Sequence, residues 1–205
     1  MSIPQTVVAE AREKLLAGGW REENPALVVW GQGQRLFAMD HRGVVAVWPV
    51  STARTGFGNR ENSGCTPPGL HRIHACYGEG QPLGAVFKSR QPTGEVVPES
   101  REAPRDLITT RILWLEGLEE GCNRGPGIDS RERYIYIHGT DDVARLGQPV
   151  SAGCVRMHPE HIAALYEQVD TATLVLILSA ENAQPTSRKD LRNGQPVENV
   201  DLAPG

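Results

Sequence analysis

The sequence predicts a mainly β domain with a few short helices, and three features carry that prediction. Apolar and β-branched residues recur in short runs of four or five rather than in long helical stripes. Clusters of Gly, Asn, Asp and Pro separate those runs, as turns separate strands. The chain has 205 residues and is 39% apolar, which suffices for one well-packed domain and is tight for two.

Taken in order, Val7, Val8, Ala11, Leu15 and Leu16 fall at helical spacing, and Gly18-Gly19 closes a short amphipathic helix. Residues 1–25 are therefore read as a helical appendage. From Ala26 the period changes. Leu27-Val28-Val29-Trp30, a Gly-Gln-Gly turn, Arg35 to Met39, an Asp-His-Arg-Gly turn and Val44 to Trp48 form a β-meander. Ile112 to Leu115 and Tyr134 to Ile137 are two further strands around a Gly-rich loop, which places His138 at a strand's end. Tyr134 and Tyr136 alternate with Ile135 and Ile137, so the two pairs face opposite sides of the sheet, and the tyrosines are read as core or edge packing. Pro159 opens a helix of about ten residues, where its missing N–H is harmless, and Leu174 to Leu178 returns as a buried strand. Residues 26–180 make up the main domain and 181–205 a polar surface tail. Residues 54–64 and 78–105, rich in Gly or Pro, read as long loops that cover a site.

Several function classes are excluded by what the chain lacks. Its net charge is −4 and its basic residues are scattered, so nucleic acid is not an expected partner. The longest aliphatic run, Leu174 to Leu178, is far too short to cross a bilayer, so no membrane partner is expected. Glu10, Arg12, Glu13 and Lys14 interrupt the place where a signal peptide needs its apolar core, which points to the cytoplasm and to reduced thiols at Cys65, Cys76, Cys122 and Cys154. Cys65, His71, His74 and Cys76 are all zinc-ligand types, but a strand through Leu70 to Ala75 sends the two imidazoles to opposite faces, so no metal is expected. His158 and His161 are read as surface residues. Gly31-Gln32-Gly33 begins like a dinucleotide fingerprint, yet Leu36 stands where the third glycine belongs and a strand follows, so no cofactor is expected.

The chemistry concentrates in Ile137-His138-Gly139-Thr140 and Ser151-Ala152-Gly153-Cys154-Val155-Arg156-Met157. A thiol is a strong nucleophile only as thiolate, and an imidazole within reach is the common way to generate one. The two residues lie 16 positions apart (154 − 138), enough for a loop to leave one strand and return beside it. Gly153 removes a side chain where substrate must approach, and the N–H groups of Gly153 and Cys154 are candidate oxyanion donors. The Ser151 hydroxyl is placed to buttress the turn or to touch substrate.

These two motifs resemble the signature of the YkuD-type L,D-transpeptidase family, bacterial enzymes acting on peptidoglycan stem peptides. The resemblance extends upstream. Gln34-Arg35-Leu36-Phe37 with Val47-Trp48-Pro49-Val50-Ser51-Thr52 resembles the family's opening hairpin, and Thr66-Pro67-Pro68-Gly69 its Thr-Pro-x-Gly turn. It runs from about Ala26 to Leu178 in the family's order.

The resemblance implies a β-sandwich of mixed sheets in which Cys154 attacks the carbonyl of the third stem residue, commonly diaminopimelate, and expels the terminal D-alanine. His138 would take the thiol proton or hold it as an ion pair, and a main-chain carbonyl, with Gly139 the matching candidate, would orient the ring. Arg156 matches a basic family position, where it either grips a substrate carboxylate or ties the cysteine loop to the protein. Many relatives carry histidine before the Gly-Cys pair and this chain carries Ala152; the position after Leu70 is often aromatic and here is His71. The implied partner is a peptidoglycan stem tetrapeptide or muropeptide. Three activities follow from this: a cytoplasmic L,D-carboxypeptidase in murein recycling, which the missing leader favours; an exported L,D-transpeptidase or cell-wall effector; and a catalytically idle binding domain, which an intact His138 and Cys154 disfavour.

Overall fold

A computed structural model describes residues 2–98 and 104–179. The elements in chain order are α1 (Gln5–Ala17), β1 (Ala26–Trp30), β2 (Arg35–Asp40), β3 (Gly43–Ser51), β4 (Gly69–Tyr77), β5 (Ala85–Lys88), β6 (Gln91–Val96), β7 (Ile108–Gly117), β8 (Tyr136–Thr140), β9 (Val155–Met157), α2 (Pro159–Tyr166) and β10 (Leu174–Leu178). The fold is mainly β, as the short apolar runs predict. The polar tail assigned to 181–205 lies outside the described residues.

The strands form one mixed sheet in the order β4-β10-β1-β2-β3-β9-β8-β7-β5-β6. β1–β10 and β8–β9 are parallel and the other pairs antiparallel. β4 also pairs with β7, so the ladder closes on itself and its two halves face each other as the layers of a sandwich. Alternate residues of both layers, among them Leu27, Val29, Leu113, Leu115, Ile137, Val155, Val175 and Ile177, meet in one buried core that Ile162 and Leu165 of α2 complete. The other face of β1, β2 and β10 is equally apolar because α1 covers it. Val28, Phe37, Met39, Leu176 and Leu178 pack there with Ala11, Leu15 and Trp20.

Two departures from the sequence reading bear on the site. Residues 78–105 do not form a plain covering loop, since they contain the β5–β6 hairpin. That hairpin escapes pattern reading because every residue of β6 is exposed, Pro92 and Gly94 interrupt it, and its two-residue turn is Ser89-Arg90 instead of a glycine pair. Second, His138 does not end a strand. Tyr134 sits at φ +56° in a turn, so β8 starts only at Tyr136 and His138 is its middle residue. It is fixed between Ile112 of β7 and Arg156 of β9.

No helix among the described residues is long and apolar enough to cross a membrane.

Candidate active site

The nucleophile motif is a tight turn held from three sides. Gly153 adopts φ +135°, a conformation in which a Cβ is strained, so the glycine is required by the backbone itself. Ser151 Oγ donates to the Cys154 carbonyl at 2.6 Å and accepts from the Gly153 N–H at 3.2 Å. Thr66 of the Thr-Pro-Pro-Gly turn donates its hydroxyl to the Gly153 carbonyl at 2.9 Å and accepts from the Ala53 N–H at 2.9 Å. Ser151 is thus a buried brace of the turn, its hydroxyl engaged on both sides. The same bonds divide the two expected oxyanion donors. The Gly153 N–H is already taken by Ser151, whereas that of Cys154 makes no hydrogen bond among the described residues and stays available.

The thiol itself lies half-buried beside the start of β8. The Tyr136 N–H donates to Sγ at 3.4 Å, and the S–H donates to the Tyr134 carbonyl at 3.6 Å. Burial pushes the thiol up to about 11, against the downward pull of the Tyr136 N–H and of the Arg156 and Arg133 charges.

His138 is 3% exposed. Its Nδ1 lies 2.7 Å from the carbonyl of Gly139. A carbonyl oxygen can only accept, so Nδ1 carries the proton and Nε2 of the neutral ring keeps its lone pair. Burial pushes this imidazole down to about 4, so it is neutral at physiological pH. The position of Gly139 depends on a β-bulge in β7, where Thr110 takes φ +67° and the register to β8 shifts. There the backbones approach so closely that a Cβ on Gly139 would lie 2.7 Å from the Thr109 carbonyl oxygen.

A neutral thiol and a neutral imidazole follow, and no hydrogen bond joins them among the described residues. Of the two resting states considered from sequence, a ready ion pair and a proton still on sulfur, burial of both groups favours the second. The strand pairing nevertheless brings their segments together: His138 is in register with Arg156 across the parallel β8–β9 pair, two residues beyond Cys154, which immediately precedes β9.

Arg156 is tied to protein carboxylates. Its guanidinium is 3% exposed, faces Asp142 at 3.4 Å and pairs with Asp106. Asp142 also pairs with Arg145 at 2.5 Å. With protein carboxylates on both terminal nitrogens, Arg156 has no open fork for a substrate.

Arg133 is a site residue that sequence reading missed. It donates to the carbonyls of Gly58 at 3.1 Å, Asn59 at 3.0 Å and Cys65 at 2.6 Å, and its charge reaches both Cys65 and Cys154. It therefore ties the 58–65 stretch to the turn that precedes β8. No local pattern marks it, because its partners lie about 70 residues away along the chain.

The two tyrosines, read as packing, serve the site through their main chains. Tyr136 is buried beside Phe87 and Ile112, with Cys154 against the same small cluster, whereas Tyr134 is 54% exposed and stacks on Trp114. His158 is more than a surface residue, since its Nδ1 caps α2 by accepting from the Glu160 N–H at 3.4 Å. His71 and His74 do lie on opposite faces of β4, one bonded to Ser130 and the other edge-on to Trp114. The four thiols are free, and among the described residues no group of three or more His, Cys, Asp or Glu is placed to hold a metal ion.

The model of the family described as the L,D-transpeptidase catalytic domain, YkuD, matches residues 25–177. No curated protein matches the sequence. Among solved structures, an L,D-transpeptidase from Mycobacterium smegmatis is similar at 17% identity and a TM-score of 0.46, covering 76% of this chain and 59% of that one. L,D-transpeptidase 3 from Mycobacterium tuberculosis, solved in complex with a faropenem-derived adduct, gives 16% and 0.47, covering 76% of this chain and 61% of that one. An L,D-transpeptidase from Xylanimonas cellulosilytica gives 16% and 0.46, covering 86% and 70%. The chain spans less than two thirds of either mycobacterial chain.

Proposed function

The chain belongs to the YkuD family of L,D-transpeptidase catalytic domains, and from that premise we propose that it is an L,D-carboxypeptidase that removes the terminal D-alanine from peptidoglycan stem tetrapeptides. Cys154 attacks the carbonyl of the third stem residue, with His138 Nε2 accepting the thiol proton as the C–S bond forms. The Cys154 N–H faces the developing oxyanion. The C–N bond then breaks, the departing D-alanine amine takes the proton from His138, and a thioester remains on Cys154. In the second half-reaction His138 removes a proton from water, the hydroxide attacks the thioester, and the thiol leaves with that proton restored.

The observation that carries this cycle is the His138–Gly139 hydrogen bond, which leaves Nε2 as the unprotonated ring nitrogen. The preference for water rests on Ala152. It is exposed directly before the Gly-Cys pair and offers only a methyl group, so it has no side chain with which to hold an acceptor amine. A second reading, transpeptidation, shares every step to the thioester and differs only in that an amine replaces water.

Mass spectrometry of products from a stem tetrapeptide tests both. Release of D-alanine without dimer or D-amino-acid exchange is expected. Dimer or exchange as the main product would move the assignment to transpeptidation, and no release of D-alanine in either form would sink both. Cys154→Ala should abolish turnover while the protein stays folded.

A further inference from the structure

The geometry points to Arg90, at the tip of the β5–β6 hairpin, as the residue that recognises the free terminal carboxylate of the substrate. This rests on the carboxypeptidase reading above, because it assigns the one residue beyond the scissile bond. Arg90 Nη1 donates to the hydroxyl of Tyr136 at 2.9 Å, and the N–H of that same tyrosine donates to the Cys154 thiol. The two contacts lie at opposite ends of Tyr136, its phenol hydroxyl and its main-chain N–H, so the length of one tyrosine separates the guanidinium from the nucleophile.

The guanidinium lies over the rings of Trp114 at 4.7 Å and Tyr134 at 5.1 Å, which are themselves stacked. That seat orients the planar group and leaves its edge open. Of the five N–H donors of arginine, Arg90 uses one among the described residues, and no carboxylate there pairs with it. Arg156, by contrast, is enclosed by Asp106 and Asp142.

The hairpin turn itself is strained in a way that favours this placement. Ser89 and Arg90 both take positive φ, +50° and +66°, at positions where a two-residue turn ordinarily carries Asn or Gly. Strain at an exposed tip is consistent with a side chain held for a purpose.

In the proposed reaction the leaving residue contributes one α-carboxylate, whose carbon is three bonds, within roughly 3.8 Å, beyond the attacked carbonyl carbon. An arginine with an open fork is the group that binds it bidentately. It would make a free C-terminus a requirement, which is the mark of an exopeptidase.

The test compares a stem tetrapeptide ending in free D-alanine with the same peptide ending in the carboxamide. The wild-type protein should prefer the acid in kcat/KM by about 10- to 100-fold, the range of a charge-assisted hydrogen-bonded pair. Arg90→Gln should bring the ratio close to one, Arg90→Lys should restore part of it, and Lys88→Gln on the same tip should leave it unchanged. Arg90→Gln with the wild-type ratio, or Lys88→Gln losing the ratio equally, would overturn the assignment. Calorimetric binding of both peptides to Cys154→Ser reads the same preference without turnover, so failure of the carboxypeptidase reading is distinguishable. Equal binding of acid and amide would refute the role of Arg90 whatever the enzyme's products, whereas binding of neither would overturn the stem-peptide reading and the role of Arg90 with it.

Discussion

His71 and His138 sit on two of the strands paired with β7, both buried, and both turn Nδ1 toward a backbone carbonyl, Gly69 at 3.0 Å and Gly139 at 2.7 Å. Burial pushes both rings down to about 4. They differ at the other nitrogen. His71 Nε2 is 2.9 Å from Ser130 Oγ, so its ring is saturated, whereas His138 Nε2 has no hydrogen-bond partner among the described residues. A low imidazole pKa therefore does not by itself distinguish the two rings; the open Nε2 of His138, on the strand paired with the cysteine segment, does.

The largest effect expected from this contrast concerns the thiol. The open Nε2 does not pre-ionise Cys154, whose pKa is pushed up to about 11. Alkylation of the free protein by iodoacetamide should therefore be slow at pH 7 and rise by orders of magnitude toward pH 11, the thiolate fraction at neutrality being about 10⁻⁴. A rate already at its plateau at pH 7 would establish an ion pair and break the argument.

Next comes turnover. His138→Gln should lower kcat/KM by about 10²- to 10⁴-fold with little change in the urea midpoint. His71→Gln should do the reverse, holding kcat/KM within a few-fold and destabilising the fold. Loss of turnover in folded His71→Gln would show that the two rings are not separated in role.

Both histidines should act on stability in the same direction. Their folded values near 4 lie below the ordinary 6.5, so between those pH values the unfolded chain takes up protons that the native chain refuses. Stability contributed above pH 6.5 is lost as pH falls through that window, by up to about 3 kcal/mol per ring. Urea denaturation at pH 7 and pH 4.5 measures the loss, and His71→Gln should remove about half of the histidine contribution to it.

The smallest effect should come from Ser130→Ala, which leaves His71 Nε2 without its donor. It should cost about 1 to 2 kcal/mol of stability and leave kcat/KM unchanged.

Much of this was legible in the residues. The meander of β1 to β3, the helix α1 and strand β10 follow from local period and turn chemistry, and the His138 and Cys154 motifs are contiguous. The Thr66 turn was legible as a match but not as a brace, because its bond to Gly153 spans 87 positions. Arg90 carried no signal at all, since its hairpin is exposed and lacks the alternation that marks a strand.

The sequence by itself determined the mainly β class, the family and the candidates for nucleophile and base, because periodicity and short motifs are properties of neighbouring residues. Only the tertiary structure decided how those residues are used. Whether a ring nitrogen is open, whether an arginine is enclosed by carboxylates, and which backbone N–H remains for an oxyanion all depend on distant segments brought into contact. Arg156 and Arg90 show this most directly: the arginine inside the motif is closed off by Asp106 and Asp142, and the one no motif marks lies open beside the thiol's own support.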